Sequence, residues 1–212
     1  MSVLGELQPN KVFKYFEEIC SIPHGSRNLQ QISDYLVDFA KAHELKYRQD
    51  EDLNVIIWKD GSKGYEASEP VILQGHMDMV AVKEADCDKD MEKEGLDLEI
   101  NGDYISAKGT SLGGDDGIAV AYTLAVLDDE EMAHPPIEAI FTVNEEIGML
   151  GAATIDVSDL KGRLFMNMDS EDEGVFTVSC AGGASVICKI PYETETVNAS
   201  VIEIKMTGFA GG

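Results

Sequence analysis

The sequence predicts an α/β protein: a three-layer sandwich around a mixed, largely parallel sheet, followed by the first strands of a separate α+β unit. Three observations carry that reading. Apolar, β-branched runs alternate with segments of helical periodicity over roughly the first 180 residues, the pattern of a sheet whose strands are joined by crossover helices. Residues 137–143, "IEAIFTV", are apolar enough to form a buried strand. Beyond about residue 180, "ASVICKIPYETE" and "SVIEIKMTG" alternate as strands with no helix between them. The expected division is therefore 1–180 for the N-terminal α/β part and 181–212 for the start of a separate α+β unit. Two strands rarely stand alone, so the chain reads as a piece of a longer protein.

The elements follow in order. Val12, Phe13, Phe16, Ile19 and Cys20 recur at helical spacing within 9–22, with Pro9 near the helix start. Leu29, Ile32, Leu36 and Phe39 repeat the pattern in a second helix. Extended segments follow at 53–59, "LNVIIWK", and 70–75, "PVILQG", separated by a polar, glycine-bearing loop. Residues 97–107 flank Asn101-Gly102 with β-type runs, a two-residue hairpin signal. From Asp115, "DDGIAVAYTLAVL" is helical and apolar enough to be buried. Pro135-Pro136 break the chain before strand 137–143, and a short helix, a loop and a strand at 163–169 complete the set.

Composition narrows function. Sixteen basic residues against 40 acidic give a net charge of −24, the wrong sign for nucleic acid or an anionic membrane surface. With no apolar run of membrane-spanning length and no basic-then-apolar leader, a cytoplasmic protein is expected. Cys20, Cys87, Cys180 and Cys188 form no CxxC pair and read as buried thiols rather than a zinc knot or disulfides.

Strong metal-ligand types gather where apolar segments end. "VILQGHMDMV" supplies His76 and Asp78, "GTSLGGDDGIAVA" supplies Asp115 and Asp116, "FTVNEEIG" supplies Glu145 and Glu146, and "FMNMDSED" supplies Asp169. In an open α/β sheet, ligands collect beyond the carboxyl ends of the strands. Carboxylates crowded there raise one another's pKa unless a cation offsets the repulsion. One imidazole with several carboxylates suits zinc, manganese or cobalt better than calcium. The carboxylates outnumber the needs of one tetrahedral ion, which fits a two-metal site with ions about 3.5–4 Å apart. Taken singly, each segment has an ordinary reading: a structural histidine, an acidic helix start, a solvated strand end, an acidic loop. Their shared position at segment ends favours the joint one. Adjacent residues at a strand end point in different directions, so one of Glu145 and Glu146 can face a metal while the other faces a water.

In their order, "SIPHGSRN", "LQGHMDMV", "GTSLGGDDGIAVA", "TVNEEIGMLGA" and "FMNMDSEDEG" resemble the dinuclear-zinc exopeptidase family of aminoacylases, glutamate carboxypeptidases, peptidase T and carnosinase-like dipeptidases. Within it they resemble most the bacterial aminoacyl-histidine (Xaa-His) dipeptidase branch, and "TGFAGG" is similar to the start of that family's "GGHSG" lid segment. The resemblance implies two zinc ions, with Mn2+ or Co2+ as substitutes, and water activated between them for hydrolysis of a dipeptide bond. It implies His76 as ligand of one ion, Asp78 orienting that imidazole, Asp115 bridging across a cis bond to Asp116, and Glu145 as general base. Glu146 would ligate the other ion and Asp169 would complete the His76 ion, with a last histidine ligand far downstream. His24, His43 and His134 match no motif and read as structural or surface residues. The implied partners are a small peptide substrate and, for the full-length protein, a second copy in a homodimer. Two other readings stand beside this one: a related aminoacylase or tripeptidase, and a non-catalytic acidic module that binds cations or a protein.

Overall fold

The computed structural model describes residues 2–170 without interruption, and beyond them 174–179, 187–194, 196, 200, 202, 204 and 205. The chain divides into two compact units, Met1–Glu173 and Gly174–Gly212. Of the two expected strands beyond residue 180, the described part of the first, 187–194, carries no strand, and more than half of the second lies outside the described residues.

The first unit opens with α1 (Asn10–Cys20), whose N-cap is Pro9 and whose buried stripe is Val12, Tyr15, Phe16, Ile19 and Cys20. Helix α2 (Gln30–Ala42) buries Ile32, Leu36, Val37, Phe39 and Ala40. The strands that follow are β1 (Lys46–Gln49), β2 (Val55–Lys59) and β3 (Val71–His76). Strand β1, "KYRQ", carries no apolar run that periodicity could detect. It is extended because its backbone pairs antiparallel with β2, Lys46 opposite Trp58.

Strands β4 (Leu98–Asn101) and β5 (Tyr104–Ala107) form a separate hairpin. Asn101 pairs with Tyr104, so the two loop residues are Gly102 and Asp103, one step later than the Asn101-Gly102 expected. The reason is conformational: Gly102, at φ +63°, takes the first loop position, where a positive φ is needed.

Helix α3 (Gly114–Leu127), strand β6 (Ile137–Thr142), the short α4 (Leu150–Thr154) and β7 (Leu164–Asn167) complete the unit. The five-stranded sheet has the order β1-β2-β6-β3-β7. It is mixed: β2 runs antiparallel to both β1 and β6, whereas β3 runs parallel to both β6 and β7. All six residues of β6 are buried. On one face, Val55, Ile57, Ile137, Ala139 and Phe141 join the side chains of α1, α2 and α3 in a single core. On the other, the segment after α4 brings Gly162 against Ile72 and Glu138. Helix α3 is apolar almost all round because it is buried against both α1 and the sheet; Gly117 lets the Phe16 ring approach it.

Cys20 is buried and Cys87 half-buried, but Cys188 is exposed, and these three are free thiols; Cys180 lies outside the described residues. Among the described residues no helix is long and apolar enough to cross a membrane.

Candidate metal centre

Parallel pairing decides where the site forms. His76 pairs with Thr142 and Gln74 with Asn167, so β3, β6 and β7 all end on one edge of the sheet. The residues just beyond those ends emerge together: Asp78 after β3, Glu145 and Glu146 after β6, and Asp169 after β7. Asp115 and Asp116 arrive from a different direction, at the N-terminus of α3, joined by a cis peptide bond. Neither is helical in φ and ψ, so the regular helix starts after them.

His76 is 1 % exposed. Its Nδ1 lies 2.9 Å from the Asp78 carbonyl oxygen and 3.5 Å from Asp78 Oδ1. A carbonyl can only accept, so Nδ1 carries a proton. Nε2 faces the acidic cluster, 3.0 Å from Asp115 Oδ1 and 3.9 Å from Glu145 Oε2. Burial by itself would lower the His76 pKa. The hydrogen bond to Asp78, the charges of Asp116 and Asp78, and the hydrogen bond to Asp115 outweigh it and push the imidazole up to about 10.

The carboxylates divide by how many donors they receive. Asp78, 1 % exposed, accepts Ser26 Oγ–H at 2.7 Å and the Glu145 N–H at 3.0 Å. Burial would raise its pKa, but His76, the Glu145 N–H and Ser26 together hold it below the usual carboxylate range. Asp116 is equally buried and accepts the His76 main-chain N–H at 3.1 Å. Burial pushes it up to about 7, helped by the charges of Asp169 and Asp115, although His76 pulls the other way. Burial also raises Glu145, against the pull of His76 and with the help of Asp169, Asp78 and Asp115. Glu146 is raised by burial and then by the charge of Asp115.

Glu145 and Glu146 do not lie in the strand itself. Strand β6 ends at Thr142, and the chain turns through Asn144, at φ +54°, into a bend in which Gly148 N–H and Met149 N–H both donate to the Glu145 carbonyl at 2.8 and 2.9 Å. The pleat therefore does not separate their side chains. A turn does, and it brings both to the same centre.

One atom each from His76, Asp115 and Glu146 lie within 4.8 Å of one another, and so do atoms from His76, Glu145 and Asp169. His76 belongs to both groups. The structure thus brings five of the six expected residues into two overlapping groups, with Asp78 behind His76, without dividing them into the two ion sites that the resemblance implies. The donor set fits a divalent cation: one imidazole nitrogen and four carboxylates, two of which, Glu145 and Glu146, are raised in pKa first by burial and then by neighbouring charge that a cation would offset. The other histidines stay apart from this centre: His24 and His134 are buried against the main-chain carbonyls of Ile22 and Pro135, and His43 stands beside Asp128.

Sequence reasoning missed Ser26, Asn144 and the inward role of Asp116. Asn144 Oδ1 accepts the Arg27 N–H at 2.8 Å. Ser26 and Asn144 do lie inside the quoted motifs, but a hydroxyl that braces a carboxylate from 52 residues away leaves no periodic mark.

A sheet whose parallel strands deliver one histidine and several carboxylates to a single edge defines the class: an α/β fold of the zinc-exopeptidase type. Over its whole length the chain is 38% identical to the cytosol non-specific dipeptidase of Escherichia coli K12, of which it covers 44%. It superposes on the aminoacylhistidine dipeptidase of Vibrio alginolyticus with a TM-score of 0.78 and 40% identity, over 81% of this chain and 35% of that one. A tripeptidase of Staphylococcus aureus, 23% identical with a TM-score of 0.65 over 79% of this chain and 45% of its own, shares the fold. No family profile matches the chain. The chain is similar over its whole length to dipeptidases, and it spans less than half the length of the relatives it matches.

Proposed function

We propose that this chain carries the metal-binding part of a dipeptidase that hydrolyses short peptides, Xaa-His dipeptides foremost, with two zinc ions. The convergence of His76, Asp115, Glu145, Glu146 and Asp169 on one edge of the sheet carries the reading. In it, His76, Asp115, Glu146 and Asp169 would hold the ions. The chemistry supplied by bound zinc is Lewis-acid polarisation of the scissile carbonyl and acidification of water.

The residues of the chain do the rest. His76 presents Nε2 to the centre because its Nδ1–H is held by Asp78. Glu145 takes the proton of the attacking water and later passes it to the leaving amine. Burial and the neighbouring carboxylates raise its pKa above the ordinary glutamate value, in the direction a general base needs. The substrate is a small peptide, the full-length protein is a homodimer, and the compartment is the cytoplasm, in keeping with the cytosolic relative.

The test is metal content by elemental mass spectrometry after loading with zinc and dialysis, for the wild-type chain and Glu146→Ala. One to two zinc ions per chain, fewer in the variant, is the expected result; no retained zinc in the wild type would overturn the metal centre. A panel of Xaa-His dipeptides, other dipeptides, tripeptides and N-acyl amino acids, run on a longer chain that includes the downstream region, then decides the substrate class.

A further inference from the structure

The segment 24–28, "HGSRN", supplies no ligand, yet it is bonded to both strand ends that build the centre. Its His24 carbonyl accepts the Met79 N–H at 3.2 Å, and the Ser26 N–H donates to the Met79 carbonyl at 3.2 Å, just past the end of β3. Arg27, at φ +72°, donates its N–H to Asn144 Oδ1, on the residue immediately before Glu145. Asn28 Nδ2 donates to the Glu92 carbonyl at 2.9 Å. The approach is close: a Cβ on Gly25 would stand 2.6 Å from Ala81 Cβ, so the strap needs glycine there.

At the middle of this strap stands Ser26. Its hydroxyl donates to Asp78 Oδ2 at 2.7 Å, while Oδ1 of the same carboxylate accepts the Glu145 N–H at 3.0 Å and lies 3.5 Å from His76 Nδ1. A carboxylate on one rotatable bond can turn away from either neighbour. Once one oxygen is held by a hydroxyl and the other by an amide, that rotation is closed.

We propose that the strap is a positioning device and Ser26 its acting side chain: by fixing the Asp78 carboxylate, Ser26 sets the imidazole of His76 and the main chain of Glu145 together. Ligand and base are then registered by one buried group rather than by two independent ones. Ser26 is a positioning residue and touches no reacting atom. The inference rests on the reading of His76 as ligand and Glu145 as base.

The test uses two readouts on the full 212-residue chain, neither of them turnover. The first is amide hydrogen exchange at Glu145 in zinc-free protein. The second is zinc affinity by chelator competition. In Ser26→Ala, the Glu145 amide should exchange about tenfold faster and zinc should bind about tenfold more weakly, the size of loss seen when groups behind a ligand are removed. Ser26→Thr, which keeps the hydroxyl, should restore both. In an Asp78→Asn background, Ser26→Ala should add less than about twofold, because the two residues act as one unit. Unchanged Glu145 exchange in Ser26→Ala, or zinc affinity within about twofold of wild type, would overturn the strap. Failure of the wild-type chain to bind zinc would instead overturn the metal centre, while the exchange measurement still decides whether Ser26 holds Glu145 through Asp78.

Discussion

Glutamates stand at the start of strand β6 and just beyond its end, and the two places behave differently. Glu138, near its start, is 3 % exposed. Its carboxylate accepts the Lys161 N–H at 3.0 Å and the Gly162 N–H at 2.8 Å. Just past the other end, Glu145 and Glu146 are only half-buried, yet they sit among Asp115, Asp169 and each other, and burial with those charges raises their pKa values. The same contrast separates Asp78 from Asp116: both are 1 % exposed, but Asp78 is held low by three donors whereas Asp116 is pushed up to about 7. Depth of burial does not separate these carboxylates. Glu138 and Asp78 each accept several donors, whereas Asp116, Glu145 and Glu146 stand among other carboxylates, a repulsion that a bound cation would offset.

The sharpest way to break this contrast is to truncate each kind. Glu145→Ala should leave zinc content nearly intact and lower turnover of the complete enzyme by about a hundredfold or more, the scale of a lost general base. Glu146→Ala should lose zinc as well, and full activity in both variants would refute their assignment. Glu138→Ala, in contrast, should leave zinc affinity alone and cost about 1–3 kcal/mol of stability, because two partly buried hydrogen bonds, from the Lys161 and Gly162 N–H groups, lose their acceptor. Thermal unfolding followed by circular dichroism measures this. A large loss of zinc from Glu138→Ala would erase the distinction.

The pH dependence of the zinc-free chain sharpens it further. Asp116, with its folded pKa raised to about 7, contributes stability that is full below its unfolded pKa and lost as pH rises through about 7. His76, raised to about 10, contributes stability that is full below its ordinary value and lost as pH rises through about 10. Both signs agree. The zinc-free melting temperature should therefore fall by several degrees, on the scale of about 4 °C per kcal/mol, between mildly acidic pH and pH about 10. Zinc affinity should rise over the same range as protons leave the ligands. A zinc-free stability that climbs with pH there would contradict the account. The smallest effect expected is that of Glu138→Gln, which keeps one acceptor oxygen in place and should cost about 1 kcal/mol with zinc binding unchanged.

Much of this was legible in the chain itself. Helices α1, α2 and α3 announce themselves by apolar spacing, and β2, β3 and β6 by runs of β-branched residues. His76, Asp115, Glu145, Glu146 and Asp169 could be named as candidates because each stands where such an element ends. Strand β1 could not be found this way: "KYRQ" has neither run nor alternation, and only pairing with β2 makes it a strand. The hairpin was found but its loop was displaced by one residue, since the conformational demand on Gly102 decides the register. Ser26 and the acceptor role of Asn144 were hidden because each acts on a residue far along the chain.

The sequence by itself determined the alternation of elements, the apolar faces, and the inventory of ligand-type residues at their ends, because these depend on neighbours within a few positions. The tertiary structure alone decided that β3, β6 and β7 would end side by side, that a turn and not a pleat would aim Glu145 and Glu146, and that Asp78 would be held while Asp115 and Asp116 were crowded. Those outcomes depend on strand order and on hydrogen bonds between residues 39 to 117 positions apart. No local pattern encodes such contacts; they exist only once the chain has closed on itself.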